Sequence, residues 1–197
     1  MNNIRRPDRR GSITVKAVAI IALISVIFGI LFVIGSNFVE KKLYPREYSE
    51  YVEKYSAEFG VPEAVIYAVI KAESDFDPSA VSSATPPALG LMQLMEETYA
   101  DVARMLGEKA DPWKIYDPET NIKYGTYYLS YLYRQFENWE NTFAAYNAGL
   151  GNVYNWLEDP EYSDGEGNLT HIPFSETREY VKRVTKYRSK YEKIYND

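Results

Sequence analysis

The chain has 197 residues, of which 46% are hydrophobic and 25% charged, with no cysteine and a net charge of −6. Its 19 Tyr, 8 Phe and 3 Trp supply enough apolar surface for one compact domain, which excludes a chain that is disordered throughout. Because cysteine is missing and His171 is the single histidine, a disulfide scaffold and a zinc finger are also excluded. We expect neither a metal nor a cofactor.

The N-terminal part of the sequence has the pattern of a membrane span. Residues 17–34 carry no charge, and as a helix they reach about 27 Å, close to the hydrocarbon thickness of a bilayer. Five cations precede them: Arg5, Arg6, Arg9, Arg10 and Lys16. The positive-inside rule therefore predicts a cytoplasmic basic segment at 1–16 and a single-pass transmembrane signal-anchor helix at 17–35. A cleaved signal peptide is the alternative, and it would release the rest of the chain as a secreted protein.

Either interpretation places the remaining chain, which we call the body, outside the cytoplasm. The absence of cysteine fits an exported domain whose fold does not depend on oxidation. After residue 34 the chain has 27 acidic residues against 17 Lys and Arg. A surface that binds phosphates needs the opposite sign, so we do not expect nucleic acid as a partner.

The body is predicted to be all-α, with a tether at 36–46 and one domain at 47–197. Gly and Pro divide the domain into helical stretches at 48–59, 62–73, 91–106, 119–136, 141–148 and 175–195. The loops are expected at 74–90 and 158–173. No segment alternates convincingly between polar and apolar residues, and no internal repeat is present.

The end of the second stretch holds an unusual carboxyl group. Glu73 follows the apolar stripe of Ile66, Val69 and Ile70, while Tyr67 is predicted to lie on the polar side. A carboxyl group against such a stripe is partly desolvated, which raises its pKa and suits the general acid of a glycosidase. Periodicity alone favours a solvated glutamate at a helix end, and the surrounding motifs are needed to change that interpretation.

Five short motifs occur in a recognisable order along the body. They are E-S-D-F-D-P at 73–78, G-L-M-Q-L-M at 90–95, N-I-x-x-G-x-x-Y-L at 121–129, A-A-Y-N-A-G at 144–149 and I-P-F-x-E-T-R-x-Y-V at 172–181. In this order they resemble the lytic transglycosylase family of the soluble-lytic-transglycosylase (SLT) type. The resemblance covers about residues 45–190 and implies a lysozyme-like helical domain.

The resemblance also implies an activity on peptidoglycan glycan strands. Family members cleave the β-1,4 bond between N-acetylmuramic acid and N-acetylglucosamine without using water. Glu73 matches the catalytic acid, which would protonate the leaving oxygen and then deprotonate the C6 hydroxyl of the muramic acid ring, leaving a 1,6-anhydro end. The acetamido group of the substrate is thought to stabilise the cationic centre, so neither Asp75 nor Asp77 is required as a second carboxylate.

The same motifs imply seven supporting positions. Tyr146 matches a tyrosine whose hydroxyl lies beside the catalytic acid, and Asn147 matches its supporting neighbour. Gln93 and Met95 match residues that line the sugar cleft, Glu176 matches a carboxylate near the acetamido group, and Tyr180 matches an aromatic in the last helix. Ser82 stands where the family commonly has a cleft serine. His171 has no ligand set around it, and we expect it to be structural.

One loop departs from the family pattern S-x-x-G-A-x-G-L-M-Q. Pro87 replaces the first Gly, and the segment between Glu73 and Gly90 is about two residues longer than in better-known members. Proline fixes φ and removes an N–H, so we expect the loop to take a different path, which puts the role of Ser82 in doubt.

Three alternatives stay open at this point. A hydrolase of the goose-lysozyme kind would share the fold and the acid but release a reducing sugar. A non-catalytic wall-binding module would need no acid. An accessory of cell-wall or secretion machinery would keep the chemistry and change only its setting.

Overall fold

The computed structural model describes residues 10–195, and the chain divides into two compact units between Pro45 and Arg46. This division falls next to the boundary at 46/47 that the sequence predicts between tether and domain. Residues 1–9 of the predicted cytoplasmic segment lie outside the described residues.

The first unit contains one long helix, α1, at Arg10–Leu43. Its segment Ala17–Leu43 is long and apolar enough to cross a membrane by length and composition. The helix continues through residues 36–43 of the expected tether, because this stretch contains neither Gly nor Pro. It stops just before Pro45, whose ring disfavours helical backbone in the preceding residue.

The second unit is built mainly from helices, as the all-α prediction requires. A short 3₁₀ helix lies at Pro112–Tyr116, and an antiparallel pair joins β1, Ala88–Leu89, to β2, Leu94–Met95. The helices are α2 Ser49–Phe59, α3 Glu63–Glu73, α4 Glu96–Met105, α5 Pro118–Phe136, α6 Trp139–Ala148, α7 Leu150–Glu158 and α8 Ser175–Tyr195.

Several helix ends follow from local sequence signals. The Asp117 carboxylate accepts a hydrogen bond from the backbone N–H of Thr120 at 2.9 Å and so caps α5. Asn138 caps α6 in the same way by accepting from the N–H of Glu140 at 2.8 Å. Helix α2 ends at Gly60, whose φ of 69° lies in the left-handed region that glycine adopts easily.

The prediction of a helix at 91–106 is wrong for residues 91–95. The chain turns there and pairs Leu89 with Leu94, so that α4 begins only at Glu96. Gly90 and Gln93 have φ values of 76° and 47°, which an α-helix does not accommodate. Helix α7 is a further element, which the sequence patterns did not predict.

Helix α3 is surrounded by other parts of the domain. All seven residues from Ala64 to Ile70 are buried, including Tyr67, which corrects the prediction of a polar side. The Tyr67 ring stacks on Tyr191 of α8 at 5.3 Å, and the Arg46 guanidinium lies 5.1 Å from the centre of the Tyr67 ring. This packing places the end of α3 against α8.

Candidate active site

Glu73 is the last residue of α3, and a tight turn follows it. Asp75 and Phe76 have φ values of 50° and 71°, and the buried Phe76 ring fixes the turn in the core. The Glu73 side chain is partly buried, and loss of solvation raises the pKa of its carboxyl to about 7. The group therefore holds its proton close to neutral pH.

Two tyrosines face this carboxyl group. Burial, followed by the charge of Glu73, raises the pKa of Tyr146 on α6 and of Tyr180 on α8 well above 10, so both phenols are neutral. The Tyr180 hydroxyl lies close enough to lower the pKa of Glu73, yet it has no hydrogen-bond partner of normal geometry among the described residues. This contact is an approach between the two groups rather than a formed hydrogen bond.

One face of α8 supplies the charges around Glu73. Glu176, Tyr180 and Arg183 follow one another at spacings of four and three residues and so share this face. Arg183 lowers the pKa of Glu73, whereas Glu176 raises it. The Arg183 guanidinium carbon also lies 5.5 Å from the centre of the Tyr180 ring. The acid is thus held between one cation and one anion of the same helix.

A loop at residues 90–93, which we call the hub loop, joins the motifs together. The Ser74 hydroxyl donates to the Leu91 carbonyl at 2.8 Å, and the Tyr146 hydroxyl donates to the Met92 carbonyl at 2.8 Å. The side-chain amide oxygen (Oδ1) of Asn121 accepts from the Met92 N–H at 2.7 Å. Four of the five motifs therefore meet at this loop, which fixes the positions of α3, α5 and α6 around the acid.

Two glycines allow this close packing. A Cβ on Gly90, whose φ is 76°, would lie 2.5 Å from the Asn121 side-chain nitrogen and 2.7 Å from the Ile115 carbonyl oxygen. A Cβ on Gly125 would overlap the fully buried Met92 side chain. The G-L-M-Q motif therefore packs directly against the N-I-x-x-G motif.

Two neighbouring cavities lie beside Glu73 and share Asn147 and Ala148 at the end of α6. The first has a volume of about 180 Å³ and is also lined by Gln93, Met95, Tyr128 and Tyr146. The second has a volume of about 590 Å³ and is also lined by Phe174, Glu176 and Thr177. Glu73 lines neither cavity itself. Tyr146, whose pKa is raised by the charge of Glu73, lines the first cavity, and Glu176, whose charge raises the pKa of Glu73, lines the second.

Two predicted cleft residues, Gln93 and Ser82, form hydrogen bonds that stabilise the loop before α4. The Gln93 amide donates to the carbonyls of Ala80 and Gly90 at 3.0 and 2.9 Å, so it holds the loop while it lines the first cavity. The Ser82 hydroxyl accepts from the Ala88 N–H at 2.8 Å and closes the loop at 82–88. Ser82 lines neither of the two cavities.

The remaining predicted residues are placed as follows. Met95 is 39% exposed at the first cavity, and Asn147 is exposed where the two cavities meet. Tyr180 is buried beside the acid. The His171 ring stacks on Tyr162 at 6.1 Å, away from these groups.

Asp75 and Asp77 bond to groups other than Glu73. The Asp75 side chain is 76% exposed and pairs with Lys71 at 2.7 Å. Asp77 accepts from the N–H and the hydroxyl of Ser79 at 2.8 and 2.7 Å. Within the described part of the chain, no three acidic or histidine side chains are grouped so that they could hold a metal ion.

No role was predicted from the sequence for Arg183, Ser74 or Tyr128, although Ser74 and Tyr128 are fixed letters of the first and third motifs. Arg183 follows Tyr180 by three residues, so the helical spacing of α8 is the signal that could have identified it. Tyr128 lines the first cavity and packs on the Tyr146 ring at 5.5 Å, which only the folded chain shows.

The molecule is thus a helical domain with a desolvated glutamate beside a cleft. The family model of the SLT transglycosylase domain matches residues 50–167. The chain therefore belongs to this family, as the sequence resemblance predicts.

Relatives support the same assignment. The soluble lytic murein transglycosylase of Escherichia coli K12 is 37% identical over 159 residues, which are 78% of this chain and 24% of that protein. Membrane-bound lytic murein transglycosylase C of Serratia proteamaculans is 32% identical over 189 residues, or 84% of this chain and 52% of that protein. The chain thus spans a quarter to a half of the length of these relatives.

Solved structures show the same fold. The 70-kDa soluble lytic transglycosylase in its complex with bulgecin A superimposes with a TM-score of 0.72 at 36% identity, over 80% of this chain and 26% of that one. An inactive mutant of lytic transglycosylase Slt from Pseudomonas aeruginosa gives a TM-score of 0.70 at 34% identity, over 78% of this chain and 25% of that one.

Proposed function

We propose that this protein is a lytic transglycosylase that cleaves the β-1,4 bond between N-acetylmuramic acid and N-acetylglucosamine in peptidoglycan. The observation that carries the proposal is the carboxyl group of Glu73. It has a pKa of about 7 and lies beside a cleft, in a domain of the SLT family.

In the first step Glu73 acts as a general acid. A carboxyl group with a pKa near 7 is substantially protonated at neutral pH and can deliver its proton to the leaving glycosidic oxygen. The bond between C1 and this oxygen breaks as the proton arrives, and positive charge develops on the sugar. Tyr146 and Tyr180 face the acid and remain neutral themselves.

In the second step the Glu73 carboxylate acts as a base. It takes the proton of the C6 hydroxyl of the muramic acid ring, and this oxygen attacks C1 to close a 1,6-anhydro ring. Glu73 is protonated again by the proton of the C6 hydroxyl, while its first proton stays on the leaving oxygen, so no water is consumed. The neutral phenol of Tyr180, which approaches Glu73, would stabilise the transient carboxylate by donating a hydrogen bond.

This scheme needs no second carboxylate close to Glu73. The acetamido group of the substrate would stabilise the cationic sugar, and Glu176, which lines the second cavity, would contact that group. A retaining hydrolase needs a carboxylate roughly 5 Å from the acid. Asp75 and Asp77 bond to Lys71 and Ser79, and Glu176 is the carboxylate whose charge acts on Glu73. The reaction products therefore decide between the transglycosylase and the hydrolase.

We also propose that the first unit anchors the protein in the cell membrane. Residues 17–35 would cross the bilayer, with residues 1–16 in the cytoplasm and the domain at 47–197 outside. The apolar helix, the preceding cations and the membrane-bound relatives support this arrangement. A tethered domain would act on glycan strands near the bilayer.

The proposal is tested by analysing the products of purified peptidoglycan digested with the full chain in detergent. We expect muropeptides with a 1,6-anhydro end, which mass spectrometry recognises by the loss of one water. Glu73→Gln removes the proton donor at nearly constant shape and should reduce the rate by at least about 10³-fold, within the range that proton transfer supplies. Asp75→Asn is the matched control, and we expect it to keep the wild-type rate.

Each alternative gives a different result. Hydrated muropeptides alone would identify a hydrolase of the goose-lysozyme kind. Equal activity of the wild-type and Glu73→Gln chains would remove Glu73 from the mechanism. Binding to the cell wall without any release of muropeptides would identify a non-catalytic module.

A further inference from the structure

A second groove lies on the other side of α8 from the candidate active site. It has a volume of about 540 Å³, within the range of roughly 300–1,000 Å³ that is typical of ligand sites. Arg178, Lys182 and Thr185 line one wall, and the chain at 169–172 forms the other. These α8 residues lie about half a helical turn away from the face of Tyr180. None of the groove residues lines the two cavities beside Glu73.

The charge of this region is opposite to that of the chain as a whole. Helix α8 carries seven Lys and Arg and three Glu, whereas the net charge of the whole chain is −6. Three cations of the helix line the groove: Arg178, Lys182 and Lys186. Lys182 also pairs with Glu179 of the same helix at 2.9 Å, but both side chains are 64% exposed, so a ligand carboxylate can replace Glu179 in this weak surface pair. Glu140, the first acid of α6, is the carboxylate that lines it. A ligand of this groove would therefore be mainly anionic and carry one positive group.

The floor of the groove is apolar. Leu169, Ile172 and Val181 line it between the charged groups. Thr185 also lines the groove, and its buried hydroxyl has no hydrogen-bond partner among the described residues. The Arg178 guanidinium also donates a hydrogen bond to the Ile172 carbonyl at 2.6 Å and so stabilises the groove wall formed by residues 169–172.

We propose that this groove binds a peptide stem of peptidoglycan while the glycan occupies the cleft on the other side of α8. A stem is a short peptide with small methyl side chains, free carboxylates and one amino group. The cations would hold its carboxylates, Glu140 its amino group and the apolar floor its methyl groups. This inference rests on the proposed function, since it supplies a second contact with the same polymer.

The first test measures binding without catalysis. A dye-labelled tetrapeptide, L-Ala–γ-D-Glu–L-Lys–D-Ala, is titrated with the full wild-type chain in detergent, and fluorescence anisotropy gives the affinity. The double variant Lys182→Gln/Lys186→Gln should bind about tenfold more weakly, since two ion pairs are lost. Ser189→Trp should weaken binding as strongly by filling the groove without changing its charge. Both variants leave Arg178 in place.

The matched control is the double variant Lys109→Gln/Lys114→Gln. It removes the same charge from two exposed lysines outside the groove, and its affinity should equal that of the wild type. Equal affinities for all variants would overturn the proposal. Weaker binding in the Lys182/Lys186 variant but not in Ser189→Trp would also overturn it, because that pattern indicates a long-range charge effect.

The second test separates this inference from the proposed activity. Initial cleavage rates are compared on glycan strands with stems and on strands from which an amidase has removed them. The Lys182/Lys186 variant should lose the preference for strands with stems, and its rate on bare strands should equal that of the wild type. If neither the wild type nor the variant cleaves any strand, the proposed activity is wrong. The peptide titration still shows in that case whether the groove binds a stem.

Discussion

At the scale of single residues, the chemistry depends on how Glu73 is kept protonated. The dominant cause is desolvation at the end of α3, and two charges on α8 then adjust the pKa in opposite directions. Arg183 favours the carboxylate and Glu176 opposes it. A group that must act first as acid and then as base works best with a pKa near the operating pH, and this pair of charges tunes it towards that value.

This tuning can be measured with two substitutions on one helix. Arg183→Gln removes the cation, so the pKa of Glu73 should rise and the alkaline limb of the pH profile of kcat/KM should move to higher pH. Glu176→Gln removes the anion, so the same limb should move to lower pH. The measurement is the initial rate of muropeptide release between about pH 5 and pH 9.

The opposite signs make this prediction specific. A merely structural effect of either substitution would lower the rate at every pH and leave the limb in place. Shifts in the same direction, or none, would show that these charges do not act on the acid.

At the scale of elements, the hub loop explains why the motifs are spread so widely along the chain. Asn121 is fully buried, and its amide bonds to the Met92 N–H and to the Ile115 carbonyl at 2.7 Å each. It is the polar link between α5 and the loop that supports Tyr146. The spacing of the motifs reflects these contacts, which only the folded chain brings together.

Asn121→Ala should therefore destabilise the domain strongly. It leaves a buried N–H and a buried carbonyl without partners, and we expect a loss of about 3 kcal/mol in the free energy of unfolding. Urea unfolding followed by tryptophan fluorescence measures this, because all three Trp lie in the domain and none in α1. The control Asn152→Ala removes a bond from a partly exposed amide to the Ala148 carbonyl and should cost less than about 1 kcal/mol. Equal losses in both variants would contradict the role of the hub loop.

The same loop marks the limit of prediction from the sequence. Helices α2, α5 and α8 were predictable because Gly60, Pro118 and the long polar pattern of α8 are local signals. Leu91, Met92 and Leu94 fit a helical spacing equally well, but long-range bonds from Asn121 and Gln93 hold this segment in a turn. Tyr67 was misplaced for a related reason, since α8 covers the face of α3 that looked polar.

In the candidate site too, some features were predictable from local sequence signals and others were not. The apolar stripe before Glu73 was a local signal for desolvation, and the raised pKa confirms that expectation. The bond from Tyr146 to the Met92 carbonyl and the contact of Tyr128 with Tyr146 depend on packing between distant segments. Such contacts leave no trace in a local pattern, whereas the spacing of Arg183 from Tyr180 is a local signal.

At the scale of the whole molecule, the protonated acid affects the stability of the fold. The pKa of Glu73 is about 7 in the folded protein against an ordinary value of 4.5. A carboxyl group with a raised pKa contributes its full stabilisation below the unfolded value, and this contribution is lost as the pH rises through the folded value. The wild-type domain should therefore lose stability between about pH 4.5 and pH 7 on account of this one group.

Glu73→Gln removes this dependence, since the amide carries no charge at any pH. On going from pH 4.5 to pH 8, the free energy of unfolding of Glu73→Gln should rise relative to the wild type by about 2–3 kcal/mol, because each pKa unit corresponds to about 1.4 kcal/mol. All other titrating groups are common to the two chains, so their contributions cancel in the difference. Urea unfolding followed by tryptophan fluorescence at both pH values measures this difference in the free energy of unfolding. The control Asp75→Asn measures the change in the same free energy when an exposed carboxyl group is replaced by an amide. A difference that stays constant between the two pH values would mean that the Glu73 carboxyl is solvated, and the acid step proposed above would lose its physical basis.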